Sequence, residues 1–377
     1  MWSFPVNFKT RRVAIPIAAF GLLSLFVTVS ILYIKSDKLS SLLASKSQPT
    51  PSDGQRSTIP NIVHYVHLMS DPQGRIQFEL KHFISIYSAS LYFDPDVIYI
   101  HTDAPDAEVE RAKSSDEASN KWSRLIFNLP KVVVNNETAP DYADNGEKIR
   151  NLENKSDFVR AKVVYELGGI YLDWDVHPLR DFKPLREAGF ANVVGLQIDD
   201  LVNSGCYMAI KGSEMMRVWL KYEHIVYDGG WLTHAVILLT DLSRSLVKIP
   251  YEVLILDRYA LAPSSWWRDD AQALFGSHSQ SQAPNLGAAD PDRPPLTTAN
   301  TEEVWEAARA SSRQEWEKDY SNSYAIHAFK NIDWEHPLDN FDKITLQYVL
   351  SRQSNFARAV YPAVQHAVEA GVISLED

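Results

Sequence analysis

From residue 59 the chain alternates between two hydrophobic rhythms. Short apolar runs bounded by Gly, Pro, Asn or Asp have the length of buried strands. Between them lie stretches with apolar residues three and four apart, the spacing of helices packed on one side. The strand-like runs are Ile59–Val66 (IPNIVHYV), Val97–His101 (VIYIH), Lys131–Val134, Ile170–Leu172, Val193–Ile198 and Cys206–Ile210. Helical spacing is found at Gln77–Tyr92, Asp106–Asn120, Asp157–Leu167, Thr301–Tyr320 and Phe341–Ala370. Ser156 is the expected N-cap of the third helix, with Asp157 in its first turn, and Gly168-Gly169 ends it. Strands alternating with helices predict an α/β domain with a doubly wound, mostly parallel sheet. Ligands of such sheets sit at the carboxyl ends of strands. Asp103, the Asp173/Asp175 pair and Asp199/Asp200 are expected there.

The first 58 residues follow neither rhythm. Residues 13–34 (VAIPIAAFGLLSLFVTVSILYI) are uncharged and long enough to cross a bilayer as a helix. Lys9, Arg11 and Arg12 precede them, which predicts a cytoplasmic tail (1–12) and a lumenal bulk. A cleaved signal peptide is the alternative, but its apolar core is about 7–15 residues long and ends in small residues. Residues 35–58, rich in Ser, Pro and Lys, are expected to be a flexible stem, and 277–300 a flexible insertion. The lumenal domain is therefore expected over 59–377. Two N-x-S/T triplets, at Asn136 and Asn154, fit a lumenal location.

The 377 residues carry a net charge of −11, so no nucleic-acid partner is expected. The single cysteine, Cys206, excludes an internal disulfide and any Cys-based metal site.

The stretch YELGGIYLDWDV (165–176) ends an apolar strand in two carboxylates. In extended chain, residues i and i+2 point to the same side. Asp173 and Asp175 can thus face one ligand while Trp174 faces the core. Two hard oxygen ligands suit Mg²⁺ or Mn²⁺, with phosphate oxygens completing the shell. Alternatively, the acids simply reach solvent. Asp157 and Arg160, three apart on one helix face, form either a surface ion pair or part of the same site.

The longer string SDFVRAKVVYELGGIYLDWDV (156–176) resembles the DxD sugar-binding region of glycosyltransferase family 32. Members include Golgi outer-chain mannosyltransferases, inositol-phosphoceramide mannosyltransferases and α-1,4-galactosyltransferases. The resemblance extends to the clostridial glucosylating toxins, and IPNIVHYV resembles the family's opening strand. It implies a GT-A-type, Rossmann-like nucleotide-sugar-binding fold beside the single transmembrane helix. It also implies an enzyme that moves a hexose from GDP-mannose, UDP-galactose or UDP-glucose to a glycan, glycolipid or sphingolipid hydroxyl, with retention of configuration. Mn²⁺ or Mg²⁺ is the implied cofactor, and a single-pass type II protein of the Golgi or ER membrane the implied setting.

By the same resemblance, Asp173, Asp175 and His327 hold the metal. Asp157, Arg160, Tyr171 and Asp173 bind the donor, and Asp157, Arg160 and Asn203 serve catalysis. Trp334 covers the site, although Asp333 stands before it where the family usually has Ser. The turn Gly229–Thr233 shapes the acceptor cleft, and Trp266-Trp267 belongs to core or acceptor wall. Two other readings remain. A non-catalytic, membrane-anchored nucleotide-sugar or glycan-binding protein would keep this fold without turnover. A haloacid-dehalogenase-type phosphatase also ends a strand in DxD, with Asp173 as nucleophile and Asp199/Asp200 as the late acidic pair. Its pattern wants Thr or Val where this chain has His177.

Overall fold

The computed structural model describes residues 57–71, 73–114, 120–278, 303, 314–329, 338 and 340–375. The tail, the 13–34 segment, nearly all of the stem, Trp334 and most of 277–300 and Thr301–Tyr320 lie outside them. Among the described residues, no helix is long and apolar enough to cross a membrane.

The first half of the domain is a run of β-α units. It comprises β1 (Ile62–His67), α1 (Leu80–Phe93), β2 (Val97–Thr102), α2 (Asp106–Lys113), α3 (Lys121–Phe127) and β3 (Val132–Asn136). Next come α4 (Leu152–Leu167), β4 (Gly169–Leu172), β5 (Val176–Pro178), α5 (Lys183–Arg186), β6 (Asn192–Leu196) and β7 (Val202–Ala209). After α6 (Glu214–Val226), a π-turn over Thr233–Ile237 opens α7 (Leu238–Leu246). Then follow β8 (Val253–Leu256), α8 (Arg258–Leu261), α9 (Arg268–Phe275), β9 (Ala325–His327), α10 (Leu346–Ser351) and α11 (Asn355–Glu369).

Seven strands form one sheet in the order β3-β2-β1-β4-β7-β6-β8. Six run the same way; β7 alone is antiparallel to both its neighbours. All eight residues of β7 are buried, as expected of a strand covered on both faces. The reversal puts the start of β7 beside the end of β4, since Leu172 pairs with Cys206. A second, two-stranded sheet pairs β5 with β9, and Val176 with His327. Helix α4 packs along β1, β4 and β7, while α1 packs on β5, α3 and α11.

Gly169 explains the tight passage from α4 into β4. Its φ is +119°, and a Cβ there would run into the Ile62 carbonyl and the His64 ring. His64 Nε2 meets the Gly168 carbonyl at 2.7 Å, and its Nδ1 meets His101 Nε2 at 3.0 Å. His101 Nδ1 in turn lies 3.0 Å from the Asn135 amide nitrogen. Because the Gly168 carbonyl only accepts and the Asn135 amide nitrogen only donates, protons run one way along this chain of neutral rings. It stitches β1, β2 and β3 to the end of α4.

Several expectations need correction. Helix α4 begins at Leu152 with Asn151 as N-cap, so Ser156 is interior and Asp157 lies in the second turn. The apolar stripe that set the expected start is carried on by Asn154, which is buried through side-chain contacts rather than hydrophobicity. Of the helix expected over 106–120, α2 ends at Lys113, and a separate helix, α3, starts at Lys121 with Asn120 as its N-cap. Residues 314–320 are turn and irregular chain rather than helix. The 341–370 segment is α10 and α11, separated where Arg352 adopts φ +54°. The two sequons also differ. Asn136 is exposed at the end of β3, whereas Asn154 is 1% exposed and its amide nitrogen donates to Tyr227 Oη (3.0 Å) and the Gly230 carbonyl (3.3 Å). That nitrogen is the glycosylation atom, so the fold offers no room for a glycan at Asn154.

Candidate active site

The site forms where β4 exits and β7 enters, with β9 closing over both. Apolar β4 delivers Tyr171 into the core, and Asp173 is the first residue beyond the strand. The Asp173 backbone N–H donates to the Gly205 carbonyl (2.8 Å), extending the β4–β7 pairing by one rung. Trp174 turns away from the acids. Its indole N–H donates to the Val66 carbonyl (2.8 Å), and its ring lies 4.5 Å from those of Tyr65 and Phe78. The chain here is a turn and not the extended stretch anticipated for DWD: the Val176 N–H donates to the Asp173 carbonyl (3.0 Å), and it is this turn that carries Trp174 away from the acids.

Asp173, Asp175 and His327 place ligand atoms within 4.8 Å of one another. His327 Nε2 is 3.1 Å from Asp175 Oδ1. Behind His327, its Nδ1 faces the Asn203 amide nitrogen at 2.9 Å. The Asn203 carbonyl oxygen accepts from the Gly205 N–H (2.7 Å), which fixes the amide's orientation. In this arrangement His327 Nδ1 accepts, and Nε2–H donates to Asp175. The two carboxylates and the imidazole suit Mn²⁺ or Mg²⁺. For His327 to join them, the proton must move to Nδ1 and the Asn203 amide must turn over.

Arg160 connects this cluster to helix α4. The guanidinium is 3.1 Å from Asp173 Oδ1 and 3.3 Å from Asp157 Oδ1, and donates to the Ser204 carbonyl (3.1 Å). It also lies 4.6 Å above the Tyr171 ring, whose hydroxyl donates to Asp173 Oδ1 (2.6 Å). Asp157 and Arg160 are 7% and 6% exposed, so the surface ion-pair alternative does not hold. Burial opposes the Arg160 charge, but Asp173, Tyr171 and Asp157 outweigh it and hold the guanidinium firmly protonated. Burial pushes the Asp173 carboxyl up, with Arg160 pulling against it. Burial also opposes ionisation of Asp175, yet His327 beside it prevails and lowers its pKa.

The structure thus gathers Asp157, Arg160, Tyr171, Asp173, Asp175, Asn203 and His327 into one cluster. Asp199 and Asp200 are exposed in the turn between β6 and β7 and do not join the metal cluster. Asp103 ends β2 as expected, but its Oδ1 accepts the Met69 N–H (2.7 Å).

Three participants escaped the sequence reading. Gly205 has no room for a Cβ, which would lie 2.5 Å from both Asp173 Oδ2 and His327 Cε1. Phe329 stacks on His327 with ring centroids 3.7 Å apart. His234, fully buried, places Nε2 2.9 Å from Asp157 Oδ2 and stacks on Phe158. Gly205 carried a faint signal, lying two residues after Asn203; His234 carried none.

Comparison with known proteins agrees with this geometry. Residues 93–191 match the family described as the glycosyltransferase sugar-binding region containing DXD motif. A curated relative, glucan organizing enzyme 1 of Cryptococcus neoformans var. grubii, is 26% identical over 227 residues. That match covers 56% of each chain, so this chain spans about half the length of the relative it matches. Among solved structures, the PaToxG glycosyltransferase is 16% identical, covering 52% of this chain and 71% of its own, with a TM-score of 0.36. Mouse xyloside xylosyltransferase 1 is 14% identical, covering 55% and 88%, with a TM-score of 0.34. Within residues 93–191, Asp173-Trp174-Asp175 stands as the DXD motif of the region that is similar to the glycosyltransferase sugar-binding family.

Proposed function

We propose that the protein is a metal-dependent glycosyltransferase that moves a hexose from a nucleotide-sugar donor to a sugar or glycolipid hydroxyl. The observation that carries this reading is the convergence of Asp173, Asp175 and His327 beside the buried Arg160–Asp157 pair, within the DXD region. Asp173, Asp175 and His327 would hold a divalent cation there, and it would supply positive charge to offset the donor's diphosphate.

The chain's own residues divide the remaining work. Arg160 is fixed by two carboxylates, a carbonyl and an aromatic face, so it presents a positive charge that needs no reorganisation during reaction. Asp157 offers carboxylate oxygens to sugar hydroxyls. Tyr171 holds Asp173 in place through its hydroxyl. Asn203 governs which nitrogen of His327 is free to meet the cation. The departing phosphate oxygen takes the acceptor's proton, consistent with a retaining transfer that needs no dedicated base. The donor is GDP-mannose, UDP-galactose or UDP-glucose, and residues 13–34 anchor the protein in the Golgi or ER membrane as a type II protein.

The test is donor hydrolysis and transfer by the full chain against a panel of nucleotide sugars with Mn²⁺. The expected result is release of the nucleoside diphosphate from one donor, abolished by EDTA and restored by added Mn²⁺. Undiminished activity in excess EDTA refutes the metal dependence. No turnover of any donor refutes the transferase reading.

A further inference from the structure

A cluster of exposed apolar side chains that the proposed site does not use lies between α7 and β8. Five consecutive residues, Val247-Lys248-Ile249-Pro250-Tyr251, are all exposed. Val247, Ile249 and Tyr251 are 51%, 45% and 59% exposed, so three large apolar side chains stand in water on one turn. No acidic residue interrupts them. Single exposed apolar residues are ordinary, but a contiguous group marks a surface that something covers.

The backbone holds this group outward. The Glu252 N–H donates to the Ile249 carbonyl (3.2 Å), closing a β-turn with Pro250 and Tyr251 at its centre. Tyr251 has φ +62°, in the left-handed region that such a turn normally gives to Gly or Asn. A bulky aromatic there is a costly choice, and strain of this kind gathers where function needs the side chain. The turn is nonetheless fixed to the sheet. The Ala191 N–H donates to the Tyr251 carbonyl (2.8 Å), and the Asn192 N–H to that of Glu252 (2.9 Å). The Tyr251 ring lies 5.9 Å from that of Phe190.

The place of the turn indicates what covers it. Ser57, the first described residue, pairs with Gly189, the neighbour of Phe190. The chain that leads back to the uncharged 13–34 segment therefore leaves the domain beside this turn. Along the sheet, Gly169 pairs with Ala209, Ala209 with Asn192, and Asn192 with Val253. Residues 247–251 precede Val253 and so lie beyond the edge where β4 begins, whereas Asp173 lies beyond the edge where β4 ends.

We propose that residues 247–251 dock on the lipid surface of the membrane that anchors the chain, with the metal cluster directed away from it. This rests on the reading of residues 13–34 as a membrane anchor. Val247 and Ile249 enter the boundary between headgroups and acyl chains, Tyr251 sits at its polar margin, and Lys248 keeps its ammonium in water. The mix suits lipid better than a second protein, because the cores of protein interfaces are depleted in Lys. An anchored domain is tethered, so the turn needs little affinity of its own to stay docked. The acceptor is then taken from the lumen rather than from the headgroup layer of the same membrane.

Cys206, the single cysteine, is buried, so an introduced cysteine is labelled alone. The full chain, with an environment-sensitive fluorophore at Lys248→Cys or at Asp199→Cys, is reconstituted into phosphatidylcholine vesicles containing nitroxide-bearing lipid. Asp199 is exposed, beyond the other end of β6. The label at 248 should be quenched by the lipid nitroxide and shielded from aqueous iodide, and the label at 199 should show the reverse. Equal quenching at both positions, or none at 248, overturns the proposal. Adding Val247→Ser, Ile249→Ser and Tyr251→Gly should lower the ratio of docked to free label by about tenfold or more, the loss of three buried apolar side chains. Flotation with the vesicles should persist in that variant, and undiminished quenching in it overturns the proposal. Tyr251→Gly alone relieves the positive φ and so keeps the fold; it too should reduce quenching, and no reduction removes Tyr251 from the docking surface and overturns the proposal as stated. Shielding that follows protein concentration rather than lipid assigns the turn to a second copy and likewise overturns it. A chain that fails to float refutes the anchor. The label at 248, with vesicles then mixed into the free chain, still decides the turn: a blue shift supports docking on lipid, and an unchanged spectrum overturns it.

Discussion

Arg160 makes the site sensitive to single atoms. Its guanidinium is shared by Asp157 and Asp173, and removing either acid leaves a buried charge partly uncompensated. Asp175 is different, because it faces His327 and is more exposed. Asp175→Ala is therefore expected to abolish sugar transfer, by about a hundredfold or more, with an unchanged melting temperature. Asp173→Ala should abolish transfer and also lower that temperature. A parallel set of activity assays and melting curves checks both, and retained transfer in either variant contradicts the assignment. Asn203 invites a sharper experiment. In Asn203→Asp one carboxylate oxygen can still accept from Gly205 N–H, while the other accepts from His327 Nδ1–H. This leaves Nε2 bare toward the cation, as in carboxylate–histidine–metal relays. Mn²⁺ is expected to bind more tightly to that variant by calorimetric titration; weaker binding would show that His327 is not a ligand.

At the scale of elements, the site depends on the close approach of β4, β7 and β9. Gly205→Ala forces apart Asp173 and His327, which belong to the first turn after β4 and to β9. It is expected to lower transfer activity strongly with only a modest loss of stability; full activity would show that the strands can part freely. The β1–β2–β3 histidine chain predicts a pH effect of its own. Burial lowers the His64 pKa to about 4 and that of His101 to about 3, against 6.5 for a free imidazole. Below pH 6.5 the unfolded chain takes up protons that the folded rings refuse, so their stabilisation is full above that pH and declines as pH falls toward 4 and 3. A tenfold difference in proton affinity between folded and unfolded chain corresponds to roughly 1.4 kcal/mol. Denaturant midpoints should fall between pH 7 and pH 5, and less steeply for His101→Gln. An equal slope in that variant would exclude the ring pair as the source. Much of this architecture was legible beforehand. The strand–helix alternation follows from local periodicity, which the buried sheet enforces, whereas the turn that aims Asp173 and Asp175 has no such period. The reversed β7 did not announce itself, because a strand buried on both faces has the same pattern in either direction. His234 was equally silent, since its role arises from a contact between α4 and the π-turn rather than from neighbours in sequence.

On the scale of the whole molecule, the two sequons offer a check on the lumenal setting. When the chain is expressed in a secretory pathway, a glycan is expected on Asn136 and none on Asn154. Asn136→Gln should remove the glycosidase-sensitive mobility shift, and a shift that persists would contradict either the burial of Asn154 or the assignment to Asn136. The charge of the molecule, −11 overall, is echoed at its centre. When ionised, Asp157, Asp173 and Asp175 set three negative charges against the one positive charge of Arg160, leaving two in excess. A nucleoside diphosphate is itself an anion and meets repulsion at such a surface, whereas a divalent cation cancels the excess. On the proposed metal-dependent function, the charge count favours cation loading before nucleotide, and by reciprocity each is expected to tighten the grip on the other. Nucleotide affinity is then expected to rise steeply with free Mn²⁺, in which case metal supply, and not donor concentration alone, would set when the site is armed.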